Sequence, residues 1–228
     1  MRYELLAFDV NETLLDVSVM SPTLEAAVGP SIGLGEWFAR LLHRSVVANH
    51  IGRYQPFGEL GAEVLVWMAA RRGMMLTPEE AREVVGEMTR LPPHPDVEAG
   101  LGLLASEGRR MIALTNGSSE AVAAQLRNSG LDRFFERRIS VDAIGRFKPA
   151  PEVYLHAAAV CGVDIDRMVL VAAHDWDVAG AQSVGAAGCF VRRQPWGIAS
   201  VTPTISVPDL AGLSEALAAG ESRHTREG

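Results

Sequence analysis

Short apolar runs that stop abruptly at polar residues, with helix-like stretches between them, leave this chain few folds to choose from. Leu5-Leu6-Ala7-Phe8 stops at Asp9, Met111-Ile112-Ala113-Leu114 stops at Thr115-Asn116, and Met168-Val169-Leu170-Val171-Ala172 stops shortly before His174. Such runs, apolar without alternation, suit strands buried on both faces, and their spacing by helical segments predicts a parallel sheet flanked by helices. Strands are expected over Arg2–Val10, Arg110–Thr115, Arg138–Ser140, Met168–Ala172, Gly188–Val191 and Thr204–Val207. Helices are expected over Asp96–Glu107, Ser119–Ser129, Pro151–Cys161 and Val178–Val184.

Between Asp16 and Arg90 the pattern changes to helical spacing alone. Trp37, Arg40, Leu41 and Arg44 lie three or four apart, as do Leu60, Val64, Trp67 and Met68. Thr77-Pro78-Glu79-Glu80 reads as an N-cap, a proline in the first turn and two early acids, so a further helix is expected from Pro78 to about Thr89. Leu91-Pro92-Pro93-His94-Pro95 is a stiff connector that no helix can cross. The division expected is an α/β core domain over residues 1–14 and 91–220, a helical cap domain over 15–90, and a disordered polar tail over 221–228.

The 228 residues, 48% hydrophobic and 21% charged, suffice for a core and an insert. A net charge of -7 argues against a nucleic-acid partner, which needs clustered cations. Cys161 and Cys189 sit among small apolar residues without metal-ligand spacing and read as buried thiols of a reducing cytosol. The chain opens directly on a strand, and no apolar run approaches a membrane span, so a cytoplasmic protein without a membrane partner is expected.

A parallel sheet delivers every strand's carboxyl end to the same edge. Asp9, Thr115-Asn116-Gly117-Ser118, Lys148 and His174-Asp175-Trp176-Asp177 would therefore share one crevice. Singly, each has an ordinary explanation: Asp9 and Asp177 as helix caps, Thr-Asn-Gly-Ser as a turn, Lys148 as a surface cation. Together they form a coherent set. Asp9 is placed as a nucleophile, Lys148 lowers its pKa and aims it, and the turn after Thr115 offers hydroxyl, amide and backbone N–H groups to an anion.

The motifs Phe8-Asp9-Val10-Asn11-Glu12-Thr13-Leu14, Leu114-Thr115-Asn116-Gly117-Ser118, Lys148-Pro149-Ala150-Pro151-Glu152-Val153-Tyr154 and Val171-Ala172-Ala173-His174-Asp175-Trp176-Asp177-Val178-Ala179-Gly180-Ala181 resemble those of the haloacid dehalogenase superfamily. The resemblance implies a Rossmann-like parallel core with an inserted helical cap. Most members are magnesium-dependent phosphatases with an acid two residues after the nucleophile and a metal-binding Asp four before the final acid. Here those positions hold Asn11 and Ala173, so neither a proton donor nor a metal ligand is expected there, and no cofactor is implied.

The chain is more similar to the L-2-haloacid dehalogenases. That likeness implies hydrolysis of short 2-halocarboxylates through an aspartyl ester on Asp9, with Thr13 and Lys148 orienting the nucleophile. Arg40, Asn116, Phe57 and Trp176 would cradle the halide, with Arg44 and Arg53 as other candidates for the guanidinium. Thr115 and the backbone after Asp9, at Val10 and Asn11, would hold the substrate carboxylate, and Tyr154 would lie nearby. Asp177 or His174 would take the proton of the hydrolytic water. His174 departs from the pattern, where an amide is usual, and either serves as that base, tightens the halide site for an ion such as fluoride, or only bonds the nucleophile's loop. A homodimer through the cap is also implied. A phosphatase with a rearranged acid set and a non-catalytic binder of small acids remain as alternatives.

Overall fold

The computed structural model describes residues 3–29, 33–193 and 201–224. Among them, six parallel strands form one sheet: β1 (Leu5–Phe8), β2 (Met111–Thr115), β3 (Arg137–Ser140), β4 (Met168–Ala172), β5 (Ala187–Val191) and β6 (Ile205–Val207), in the order β3-β2-β1-β4-β5-β6. β1, β2, β4 and β5 are buried at every residue, which explains their unbroken apolar runs. The order reverses between β1 and β4, and in a doubly wound sheet the crevice at that reversal is where ligands bind.

The core helices are α5 (Val97–Ser106), α6 (Ser119–Asn128), α7 (Pro151–Val160), α8 (Asp175–Ser183) and α9 (Leu213–His224), and α1 (Ser21–Val28), α2 (Leu34–Ile51), α3 (Phe57–Ala70) and α4 (Pro78–Gly86) lie between β1 and β2. α8 begins three residues before the expected Val178, because His174 holds the extended N-cap conformation and Asp175 and Asp177 occupy the first turn, where the helix dipole favours acids. α9 was not anticipated and corrects the expected disordered tail: residues 221–224 are helical, anchored upstream by buried Leu213 and Leu217, and 225–228 lie outside the described residues.

Within the insert, α2 and α3 approach closely. Trp37 Nε1 donates to the Gly61 carbonyl at 3.0 Å, and a Cβ on Gly61 would come within 3.1 Å of the Trp37 ring. α4 has the expected capping box, with Thr77 and Glu80 bonded reciprocally. The insert leaves and rejoins the core side by side: Leu15 forms an antiparallel bridge with Pro93, Asp16 N–H donates to Pro92 O at 2.9 Å, and His94 N–H donates to Leu14 O at 3.0 Å.

Candidate active site

Asp9 follows β1 at the reversal, its N–H donating to Val171 O of β4 at 3.0 Å. Its buried carboxylate is held from two sides: Lys148 Nζ donates to Oδ1 at 2.8 Å and Thr13 Oγ1 to Oδ2 at 2.7 Å, with Thr13 fixed in turn by Ala173 N–H at 2.9 Å. Burial raises the Asp9 pKa, but the charge of Lys148, the attraction of His174 and these hydrogen bonds outweigh it and hold the carboxyl below its ordinary range. Asp9 is a fixed anion.

Lys148 is itself fully buried and also donates to Asp177 Oδ2 at 2.6 Å. Desolvation works against its charge, but Asp177 and Asp9 together keep its pKa above the usual value. Asp177 Oδ1 accepts from the Tyr154 hydroxyl at 2.6 Å. Desolvation, aided by repulsion from Asp9, raises the Asp177 pKa despite Lys148, and burial beside Asp177 pushes the Tyr154 hydroxyl well up. A Cβ on Gly180 would come within 2.5 Å of that hydroxyl, so the turn of α8 needs glycine there for Tyr154 to reach Asp177. The Lys148 backbone N–H donates to Asn116 Oδ1 at 2.8 Å, and Thr115 Oγ1 accepts from Gly117 N–H at 3.0 Å, shaping the loop after β2.

This donor set does not fit a divalent cation. An ammonium stands between the two carboxylates, both Asp177 oxygens are engaged, and position 173 presents a methyl group. Among the described residues, no cluster of three or more His, Cys, Asp or Glu has metal-binding geometry.

His174 and Trp176 line the same mouth. The imidazole is stacked between Phe38 of α2, centroids 5.6 Å apart, and Trp176, 5.0 Å apart. His174 Nε2 is 3.9 Å from Asp9 Oδ2 and 3.2 Å from Glu12 Oε2. Asn11 is buried, its Oδ1 accepting from Gln125 Nε2 at 2.8 Å, while Gln125 also donates to Met88 O at 3.0 Å. Val10 is fully buried. Phe57 packs on Phe147, ring centroids 5.8 Å apart, and borders a cleft of ≈ 380 Å³ between insert and core that Asn11, Gly117 and Gln125 also line.

Arg40 is the exception. Its guanidinium pairs with Glu36 at 2.8 Å and lies over the Trp67 ring at 4.7 Å. The residue of α2 that reaches the site is Phe38, and two positions along a helix turn a side chain by roughly 200°, to the opposite face. The expected Arg40 therefore does not join Asp9. Arg44 pairs with Glu63 and Arg53 is exposed, so neither replaces it. Phe38, Glu12 and Gln125 were not foreseen as site residues. The stripe Trp37, Phe38, Leu41, Ser45 and Ala48, buried on one side of α2, was a readable signal for the first; Glu12 stands three residues after Asp9 in the same motif, and Gln125 carried no signal.

Known proteins share this architecture. The haloacid dehalogenase-like hydrolase family model matches residues 3–185. (S)-2-haloacid dehalogenase H-109 of Pseudomonas putida is 30% identical over 217 residues, covering 92% of this chain and 96% of that one. Haloacetate dehalogenase H-2 of Moraxella sp. (strain B) is 28% identical over 221 residues, covering 95% and 99%. The structure of L-2-haloacid dehalogenase from Xanthobacter autotrophicus superposes with a TM-score of 0.87 at 26% identity, covering 95% and 98%, and the same enzyme with chloropropionic acid covalently bound gives 0.87 at 25% over the same shares. With its reversed parallel sheet, its Asp9–Lys148–Asp177 chain and these relatives, the protein belongs to the haloacid dehalogenase-like hydrolases.

Proposed function

We propose that the protein is a hydrolytic dehalogenase of short 2-haloalkanoic acids that works without a metal. The observation that carries this reading is a buried, ionised Asp9 aimed by Lys148 and Thr13, with the amide of Asn11 where a phosphatase would need an acid. Asp9 attacks the carbon bearing the halogen from the side opposite the leaving group, so the configuration inverts and an aspartyl ester forms. Halide is weakly basic and needs stabilisation, not a proton. The Asn116 amide and the rings of Trp176, Phe57 and Phe38 supply the cradle. Thr115 and the backbone N–H groups of Val10 and Asn11 take the substrate carboxylate. The relative with chloropropionic acid covalently bound supports an ester route.

Water then attacks the ester carbonyl. Both Asp177 oxygens are engaged, whereas His174 Nε2 faces Asp9 Oδ2 at a spacing that a shared water can span, so His174 is assigned as base and Asp177 as the group that holds Lys148. We further assign residues 1–14 and 91–220 to the core and 15–90 to a cap, the location to the cytoplasm, where buried Cys161 and Cys189 stay reduced, and the assembly to a homodimer through the cap.

The test is halide release from chloro-, bromo- and fluoroacetate and both 2-chloropropionates in EDTA. Release is expected from the wild type and not from Asp9→Ala. Hydrolysis of phosphate esters that requires magnesium, without halide release, would return the protein to the phosphatases.

A further inference from the structure

Glu12 sits in a conformation that its side chain makes unfavourable. Its φ is 62°, the one positive φ outside glycine among the described residues. Such strain persists where the surroundings over-determine it, and it gathers at functional sites. Here Glu12 N–H donates to Leu15 O at 2.9 Å, the Glu12 carbonyl meets His94 Nε2 at 3.1 Å, and Asn11 is bridged to Leu15. Glycine would make this turn without strain but would place no carboxylate 3.2 Å from His174 Nε2.

We propose that Glu12 is a positioning residue for ester hydrolysis: it receives the N–H that forms on His174 Nε2 over the Asp9 ester, fixing the ring there, and conducts the released proton to solvent. The role rests on the dehalogenase reading. As water adds to Asp9 Cγ, one of its protons passes to His174 Nε2, and the new N–H donates to Glu12. Collapse of the adduct breaks the bond from Cγ to the ester oxygen, and the alkoxide takes that proton back to leave as the hydroxy acid. Asp9 remains as a carboxylic acid, and its proton, the one each turnover must release, leaves through His174 and Glu12.

Exposure rises along this route, from 8% for the Asp9 side chain to 13% for His174 and 24% for Glu12. Burial, with repulsion from Asp9 and Asp16, raises the Glu12 pKa against the pull of His174, which suits a group that accepts and passes on a proton. The stack of Phe38 and Trp176 keeps the imidazole from swinging away. The groups facing His174 are Asp9 and Glu12 from the segment after β1, with Lys148 behind Asp9, the Phe38 ring from α2 and the Trp176 ring of α8, while Asp175, next in the chain, accepts from the Trp176 N–H.

The experiment mixes stoichiometric enzyme with (S)-2-chloropropionate and follows chloride and the intact protein mass. In Glu12→Gln the chloride burst should match the wild type while the ester persists, lowering kcat roughly tenfold or more. Glu12→Asp, which keeps a carboxylate, should restore part of the hydrolysis rate that Glu12→Gln loses. Glu12→Gly should hydrolyse the ester as slowly as Glu12→Gln yet melt at or above the wild-type temperature. An ester that decays at the wild-type rate in Glu12→Gln overturns the proposal. If the wild type gives no burst with any haloacid, the dehalogenase reading has failed and the role of Glu12 in ester hydrolysis falls with it.

Discussion

At the scale of single residues, the site depends on one ammonium shared by two buried carboxylates. Removing one partner of a buried ion pair strands the rest, at a typical cost of about 3–5 kcal/mol. Lys148→Met should therefore abolish turnover and lower the melting temperature. Its pH response carries the diagnosis. In the wild type, the depressed Asp9 pKa contributes stability that is present above the unfolded value and lost as pH falls through the folded one, while the raised Asp177 acts in the opposite sense. Without Lys148, desolvation and mutual repulsion raise both folded-state values, the folded state binds more protons, and stability rises as pH falls. Melting at pH 8 and pH 5 should show the variant gaining more on acidification than the wild type; equal responses would deny Lys148 its counter-ion role. Asp9, Lys148, Tyr154 and Asp177 were legible in the sequence because strand ends and motif spacing fix where they fall. Arg40 misled because the family likeness implies a guanidinium on this helix, and helical spacing does not show which face looks inward.

At the scale of elements, the end of α2 is tied to the segment that carries Lys148. The Asn49 side chain accepts from Phe147 N–H at 2.9 Å and donates to Phe147 O at 2.8 Å, one residue before the lysine. Asn49→Ala would leave a backbone donor and acceptor without partners, a loss of about 1–3 kcal/mol. It should raise KM and lower Tm. Thr77→Ala, which removes the α4 cap at about 1 kcal/mol, should lower Tm and leave KM unchanged. Equal KM effects would mean that α2 does not position the site. The capping box and the strands were readable because their signals are local. α9 was not, since its hold on the core rests on Leu213 and Leu217 within an Ala- and Gly-rich stretch whose packing only the fold reveals.

For the whole molecule, the parallel sheet was readable from the alternation of elements, whereas the assembly depends on surfaces that carry no pattern. Val47 and Ile51, one turn apart on α2, are exposed, as is Trp67 on α3. Light scattering should give twice the 24.5 kDa chain mass, and Val47→Glu with Ile51→Glu should return a monomer. A monomeric wild type would refute the dimer. The pairing of Leu15 with Pro93 reaches further than stability. The polypeptide goes out to α1–α4 and comes home through a single doorway, so whatever is spliced between its two posts leaves the strand order untouched. A lineage can thus exchange α1–α4 and inherit Asp9 unaltered, because the two are written in separable stretches of the chain.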